Sequence, residues 1–220
     1  MKKYMFVVFV LLVSVGANAQ QATTPTSPAT PPIAAQASLS QPTALMVGSK
    51  APDFNGVDYL GKKHSLKALL KKNNAIVLFF YRGQWCPYCN KYIKEIQDNL
   101  AKITSKGVIV IGVTPETELA INTTISKTGA SFPIINDKGY KIMKAYRVDY
   151  VVSASDLDLM HKYHIDMDAN NGNMDHVLPI PATYVINKKE KIIFAHFDTD
   201  YRKRANINDL MSALTFNTGN

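Results

Sequence analysis

Two cysteines and a single tryptophan are all that the 220 residues hold of either type. A disulfide-stapled secreted scaffold is thereby excluded, because such folds use several bridges in place of a core. A four-cysteine zinc ribbon is excluded too; a zinc site would have to recruit two of His64, His161, His164, His176 and His196 to the cysteine pair. Residues 20–45 carry no charge at all. Basic stripes with interleaved aromatics are missing. The densest cluster, YRKR at 201–204, is four residues long, so a net charge of +8 does not point to nucleic acid. What remains is a globular composition, 46% hydrophobic and 19% charged, in a chain long enough for one domain with additions.

The N-terminus has the form of a secretory signal. Lys2 and Lys3 give a positive start, Met5 to Val15 an apolar stretch, and Ala17-Asn18-Ala19 a small-x-small cleavage site. The apolar stretch falls short of the about 20 residues that span a bilayer, and no cysteine follows it to carry a lipid. Residues 1–19 are therefore expected to be removed, leaving a mature protein outside the cytoplasm, in a periplasm, with no stable membrane insertion; an uncleaved N-terminal anchor is the alternative. Residues 20–45, rich in Pro, Thr and Ala, cannot bury enough apolar surface to offset their ordering entropy and are expected to form a disordered linker. The folded domain is expected over 46–216.

Within that domain strands and helices alternate. NAIVLFFY (74–81) and GVIVIGV (107–113) are unbroken apolar runs of strand length, as for strands buried on both faces. Ile93, Ile96, Leu100 and Ile103 recur at helical spacing and predict a helix over 87–105. A second helix over 115–129 opens with acidic residues and closes on Gly129. A short strand at 133–136 and a helix over 138–146 follow, then an irregular segment over 150–178. ATYVIN and KIIFAHF flank KKE as an antiparallel hairpin, and NINDLMSAL closes the chain as a helix. The sum is an α/β fold with a central mixed sheet flanked by helices.

Both cysteines, Cys86 and Cys89, fall in FFYRGQWCPYCN, between the first buried strand and the following helix. Pro87 suits the first helical position. Cys86 then meets the unpaired N–H groups of the first turn and the positive end of the helix dipole, which favour its thiolate. Cys89, one turn in, can attack a mixed disulfide formed at Cys86. A two-residue loop gains little from closure, so the pair is read as a working dithiol of thioredoxin type rather than a staple. If the hairpin turns at 188–190, Phe197 falls opposite Pro181. DTDYRKR then emerges beside the sulfurs, making Arg202 a candidate to stabilise a thiolate or polarise a peroxide and Asp198 a candidate proton carrier. Arg82, four residues before Cys86, is a third auxiliary candidate.

VGSKAPDF (47–54), FFYRGQWCPYCN (79–90) and LPIPATYVI followed by FAHFDTDYRKRA together resemble the peroxiredoxin-like branch of the alkyl hydroperoxide reductase/thiol-specific antioxidant family. DANNGN in the middle segment is similar to that branch as well, which makes His161 and His164 incidental. The resemblance covers roughly 46–214 and implies a thioredoxin-like fold and an antioxidant thiol chemistry that needs no metal or cofactor. The similarity of LPIPATYVI to the corresponding segment of thioredoxin-fold proteins implies a cis proline at Pro181, with Ile180 before it and Trp85 beside Cys86 as substrate contacts. Aligned on FFY, Cys89 stands at the peroxidatic position, Arg82 where the family has Pro, Cys86 where it has Thr, and Pro181 where it has Arg. The buried Asp of thioredoxin corresponds to Phe80, which leaves proton transfer to water or a group such as Asp198. Three functions stay open. The first is an extracytoplasmic thiol–disulfide oxidoreductase that acts on a disulfide-bearing protein and is recharged by an unidentified thiol reductant. The second is a peroxidase reacting through Cys89, and the third a catalytically silent binding module.

Overall fold

The computed structural model describes residues 42–217. The expected signal segment, and the linker up to residue 41, lie outside the described residues. In chain order the elements are β1 (Asn55–Asp58), β2 (Lys63–Ser65), α1 (Leu66–Lys72), β3 (Ala75–Phe80), α2 (Pro87–Asp98), α3 (Leu100–Thr104), β4 (Val108–Thr114), α4 (Glu118–Thr128) and β5 (Ile134–Asn136). There follow α5 (Lys141–Ala145), β6 (Asp149–Val151), α6 (Ala154–Lys162), α7 (Met167–Asn171), β7 (Val177–Pro179), β8 (Ala182–Asn187), β9 (Ile192–Phe197) and α8 (Ile207–Asn217).

Seven strands form one mixed sheet in the order β2-β1-β5-β4-β3-β8-β9. β3, β4 and β5 run parallel, and β8 and β9 add antiparallel on the other side of β3. β3 is central because every one of its residues is apolar and buried. Ile76, Leu78 and Phe80 face one core, while Ala75, Val77 and Phe79 face the other, which includes α2 and α8. Each fully buried large apolar side chain contributes about 1.5–3 kcal/mol, so this strand anchors the loop that leaves its C-terminal end.

Three sequence expectations change. The helix predicted over 87–105 is two, α2 and α3, parted at Asn99. There the side chain donates to the Glu95 carbonyl at 2.9 Å, and the N–H is shared between the carbonyls of Glu95 and Ile96. Such local bonds compete with helix continuation. The segment over 150–178 is not irregular: β6 pairs antiparallel with β7, and α6 and α7 lie between them. Its elements are short, and Met160 is the sole buried residue of α6, so no helical apolar stripe advertises it. Finally, Phe197 sits opposite Ala182 rather than Pro181, because a bulge shifts the β8–β9 register between Val185 and Ile186.

The end of the uncharged stretch is held against this body. The Thr43 N–H donates to the Arg147 carbonyl at 3.2 Å, and the Leu45 N–H to the Tyr184 hydroxyl at 3.4 Å.

Candidate active site

β3 delivers the chain to a loop over 81–85, and Cys86 caps α2 with Pro87 as the first helical residue. The Cys89 N–H donates to the Cys86 sulfur at 3.4 Å, so a first-turn amide does reach that sulfur. Both thiols are free and buried, Cys86 1% exposed and Cys89 fully enclosed. Gly83 is required in the loop. A Cβ there would run into the Trp85 indole and come within 2.9 Å of the Glu116 carboxylate.

The guanidinium that meets the sulfurs belongs to Arg204. Its Nη2 donates to the Cys89 sulfur at 3.3 Å from the loop between β9 and α8. Arg202 is exposed and turns to Asp200, with Nε 2.8 Å from the carboxylate. Asp198 pairs with Lys203 at 3.2 Å. Neither candidate is hydrogen-bonded to a cysteine. Arg82 is 9% exposed, its guanidinium held between the rings of Trp85 and Tyr201 at 4.8 and 4.3 Å.

The two sulfurs share one charge. Donation to Cys89, together with burial, pushes the Cys86 thiol far up. Burial works against Cys89 as well, but the Cys86 hydrogen bond, the Arg204 charge and the Arg82 backbone N–H outweigh it and bring Cys89 down to about 6. The expectation of a resting thiolate on Cys86 is thus corrected. The helix terminus supplies Cys86 one amide, whereas Cys89 receives a full positive charge, and charge-assisted hydrogen bonds are roughly twice as strong as neutral ones.

Glu116, two residues beyond β4, went unnoticed in the sequence. It is fully buried, accepting from the Gln84 N–H at 2.6 Å and from the Thr124 hydroxyl at 3.4 Å. Burial raises its carboxyl to about 7, opposed by the Gln84 N–H and the Tyr81 hydroxyl and reinforced by the charge on Cys89. Its place after a buried parallel strand is the one available signal, since chemistry in such sheets gathers at the carboxyl ends of the strands.

A cleft of about 510 Å³ opens over the dithiol. Trp85, Cys86, Tyr88, Ile180, Pro181 and Tyr201 line it from the sheet side, while Tyr150, Met160 and Tyr163 close it from the β6–β7 insertion. Cys89 is not part of its lining. The structure therefore brings Cys86, Trp85, Ile180 and Pro181 together on one surface. Pro181 is not cis: among the described residues no peptide bond is. The chain passes extended from β7 into β8, with Pro179 opposite Asp149 and the Ile180 N–H bonded to the Val148 carbonyl at 2.7 Å. A trans bond continues that line.

Comparison with known proteins agrees with this architecture. A thiol-disulfide oxidoreductase ResA from Bacillus thuringiensis (strain Al Hakam) is 35% identical over 105 residues, covering 47% of this chain and 59% of the relative. The chain thus spans about three fifths of the length of that curated relative. The crystal structure of peroxidoxin BcpB from Mycobacterium tuberculosis superposes with a TM-score of 0.59 at 16% identity, covering 78% of this chain and 97% of that one. A peroxiredoxin-like protein from Aquifex aeolicus gives a TM-score of 0.60 at 17% identity, with 79% and 88% covered. These likenesses show a thioredoxin-like fold of the peroxiredoxin type. The AhpC/TSA family model matches residues 47–195, well over half the sequence, and the chain belongs to that family.

Proposed function

We propose that this protein is a thiol-dependent oxidoreductase that exchanges disulfides outside the cytoplasm, with Cys86 as the attacking sulfur and Cys89 as the resolving one. The observation that carries the reading is that Cys86 lines the cleft while Cys89 lies behind it, fully enclosed. The resemblance to ResA supports the same class of chemistry. The location rests on the signal-type residues 1–19, and no helix among the described residues is long and apolar enough to cross a membrane.

In the resting dithiol the proton sits on Cys86, bonded to the Cys89 thiolate. Passing it to Cys89 frees the Cys86 thiolate, which attacks one sulfur of the substrate disulfide and expels a thiolate. Cys89 gives up its proton to that leaving group and attacks Cys86. The Cys86–Cys89 bond forms as the mixed disulfide breaks, and a second thiolate departs, to be protonated in turn. A dithiol reductant returns the pair to its starting state, and the cycle would serve redox homeostasis and antioxidant defence.

One observation favours a peroxidase instead. Arg204 stabilises Cys89, the sulfur at the peroxidatic position, as the resting thiolate. Cys89 would attack the peroxide oxygen and become a sulfenic acid as the alcohol or water leaves, and the Cys86 thiol would condense with it to a disulfide and water.

Stopped-flow Trp85 fluorescence of the reduced protein, mixed in parallel with a protein disulfide and with hydrogen peroxide, separates the two. Disulfide exchange should be the faster reaction, and Cys89→Ser should accumulate a mixed disulfide on Cys86. Faster oxidation by peroxide, with no trapped adduct, would reverse the order.

A further inference from the structure

Reduction of a disulfide delivers two thiolates that each need a proton, yet the resting dithiol carries only one, on Cys86. A second acid group is enclosed beside the pair. Glu116 has no exposed surface, and its oxygens are bonded to the Gln84 N–H and the Thr124 hydroxyl, both neutral. Gln84 stands two residues before Cys86, and its carbonyl in turn accepts from the Asn90 side chain on α2 at 2.8 Å, so the carboxyl is built into the loop that presents the sulfurs.

No cation is paired with this carboxyl among the described residues. Lys127, on the same helix as Thr124, directs its ammonium to the backbone and side-chain oxygens of Gln84. The ionisable groups that act on Glu116 from neighbouring elements are Tyr81, just after β3, and Cys89 on α2. A buried carboxylate without a cation beside a buried thiolate is two like charges in a poorly solvated site, and such pairs do not ionise together.

We propose that Glu116 is the second proton store of the dithiol, protonated while Cys89 is a thiolate and ionised once Cys86 and Cys89 are joined. The balance closes: Cys86–SH, Cys89–S⁻ and Glu116–COOH with one substrate disulfide give the Cys86–Cys89 disulfide, Glu116–COO⁻ and two substrate thiols. Two electrons pass from the cysteine pair to the substrate, and both protons come from the site. Glu116 is hydrogen-bonded to neither sulfur, so its coupling to Cys89 is through charge. The inference builds on the dithiol reading above, but concerns the proton inventory whichever substrate is used.

Glu116→Gln keeps an acceptor for Gln84 while removing the ionisation. At about pH 8 its dithiol–disulfide equilibrium against a small reference dithiol should move toward the dithiol by about threefold or more, with the difference shrinking near pH 5.5. The reduced-minus-oxidised infrared spectrum of the wild type should contain the carbonyl stretch of a protonated carboxyl, a readout independent of whether the variant folds. A dithiol–disulfide equilibrium at about pH 8 that the variant leaves unmoved, or no carboxyl band in the wild type, would overturn the proposal. Failure of the wild type to reduce a protein disulfide would count against the exchange reading and leave these two measurements intact as tests of Glu116.

Discussion

Arg204 and Cys89 lie 115 residues apart in sequence and 3.3 Å apart in space, joined by a hydrogen bond from guanidinium to sulfur. Hydrogen bonds to charged groups are worth about 1.5–3 kcal/mol, or about 1–2 pKa units. Arg204→Met should therefore raise the thiolate titration of the reduced protein by that amount and slow peroxide oxidation at neutral pH. Thiolate absorbance against pH checks the first, and stopped-flow fluorescence the second.

Arg202 supplies the matched control. It is exposed and satisfied by Asp200. Arg202→Ala should leave the thiolate titration and the disulfide exchange rate where they are. A shift as large as that from Arg204→Met would show that both cations act on the sulfurs.

Glu116 also links pH to folding. Its carboxyl is raised from 4.5 to about 7, so over that window the unfolded chain has already lost a proton that the folded protein keeps. The folded state binds more protons, and stability conferred by this group is full below about pH 4.5 and lost as pH rises through 7, at most about 3 kcal/mol in all. Urea denaturation of the reduced protein at several pH values should show Glu116→Gln gaining on the wild type from pH 5 to about pH 8. A gap that narrows with rising pH would contradict the assignment.

Tyr201 stacks on Arg82 and meets Tyr88 edge-on at 5.8 Å, forming one wall of the cleft. Its removal takes away a cation–π contact worth about 0.5–1 kcal/mol at such a site. Tyr201→Ala should weaken steady-state binding of a disulfide peptide by about twofold to fivefold. The thiolate titration should stay unchanged, because Tyr201 does not touch the sulfurs.

Leu78 is fully buried at the centre of β3. Leu78→Ala should destabilise the protein by about 2–5 kcal/mol, read as a lower urea midpoint. The native-state reaction of the dithiol should change far less.

The sheet was legible because β3 and β4 announce themselves as unbroken apolar runs, and the Cys86-Pro87 start of α2 follows from the geometry of a helix terminus. The β6–β7 insertion stayed hidden because each of its elements is too short to show a period. Arg204 stood in plain view within YRKR, but spacing cannot rank three cations in one loop. The bulge between Val185 and Ile186 put an otherwise correct register count one residue out. Glu116 escaped because a carboxylate after a strand reads as a solvated helix start until its burial is known.

The insertion between β6 and β7 has an interior of its own, where Val152, Met160, Met167 and Leu178 pack together with Trp85 against them. Its buried residues are not shared with the two cores that clasp β3, although Trp85 packs against one of those as well, and Tyr150, Met160 and Tyr163 line the cleft. The buried residues behind the sulfurs and behind the opposing wall are therefore different, with Trp85 packed against both sets. Replacing the surface of α6, from Leu159 to Tyr163, can alter which molecules enter without retuning how readily the cysteine pair gives up its electrons. Selectivity and redox poise should then vary one at a time in this fold, as long as Trp85 is left in place.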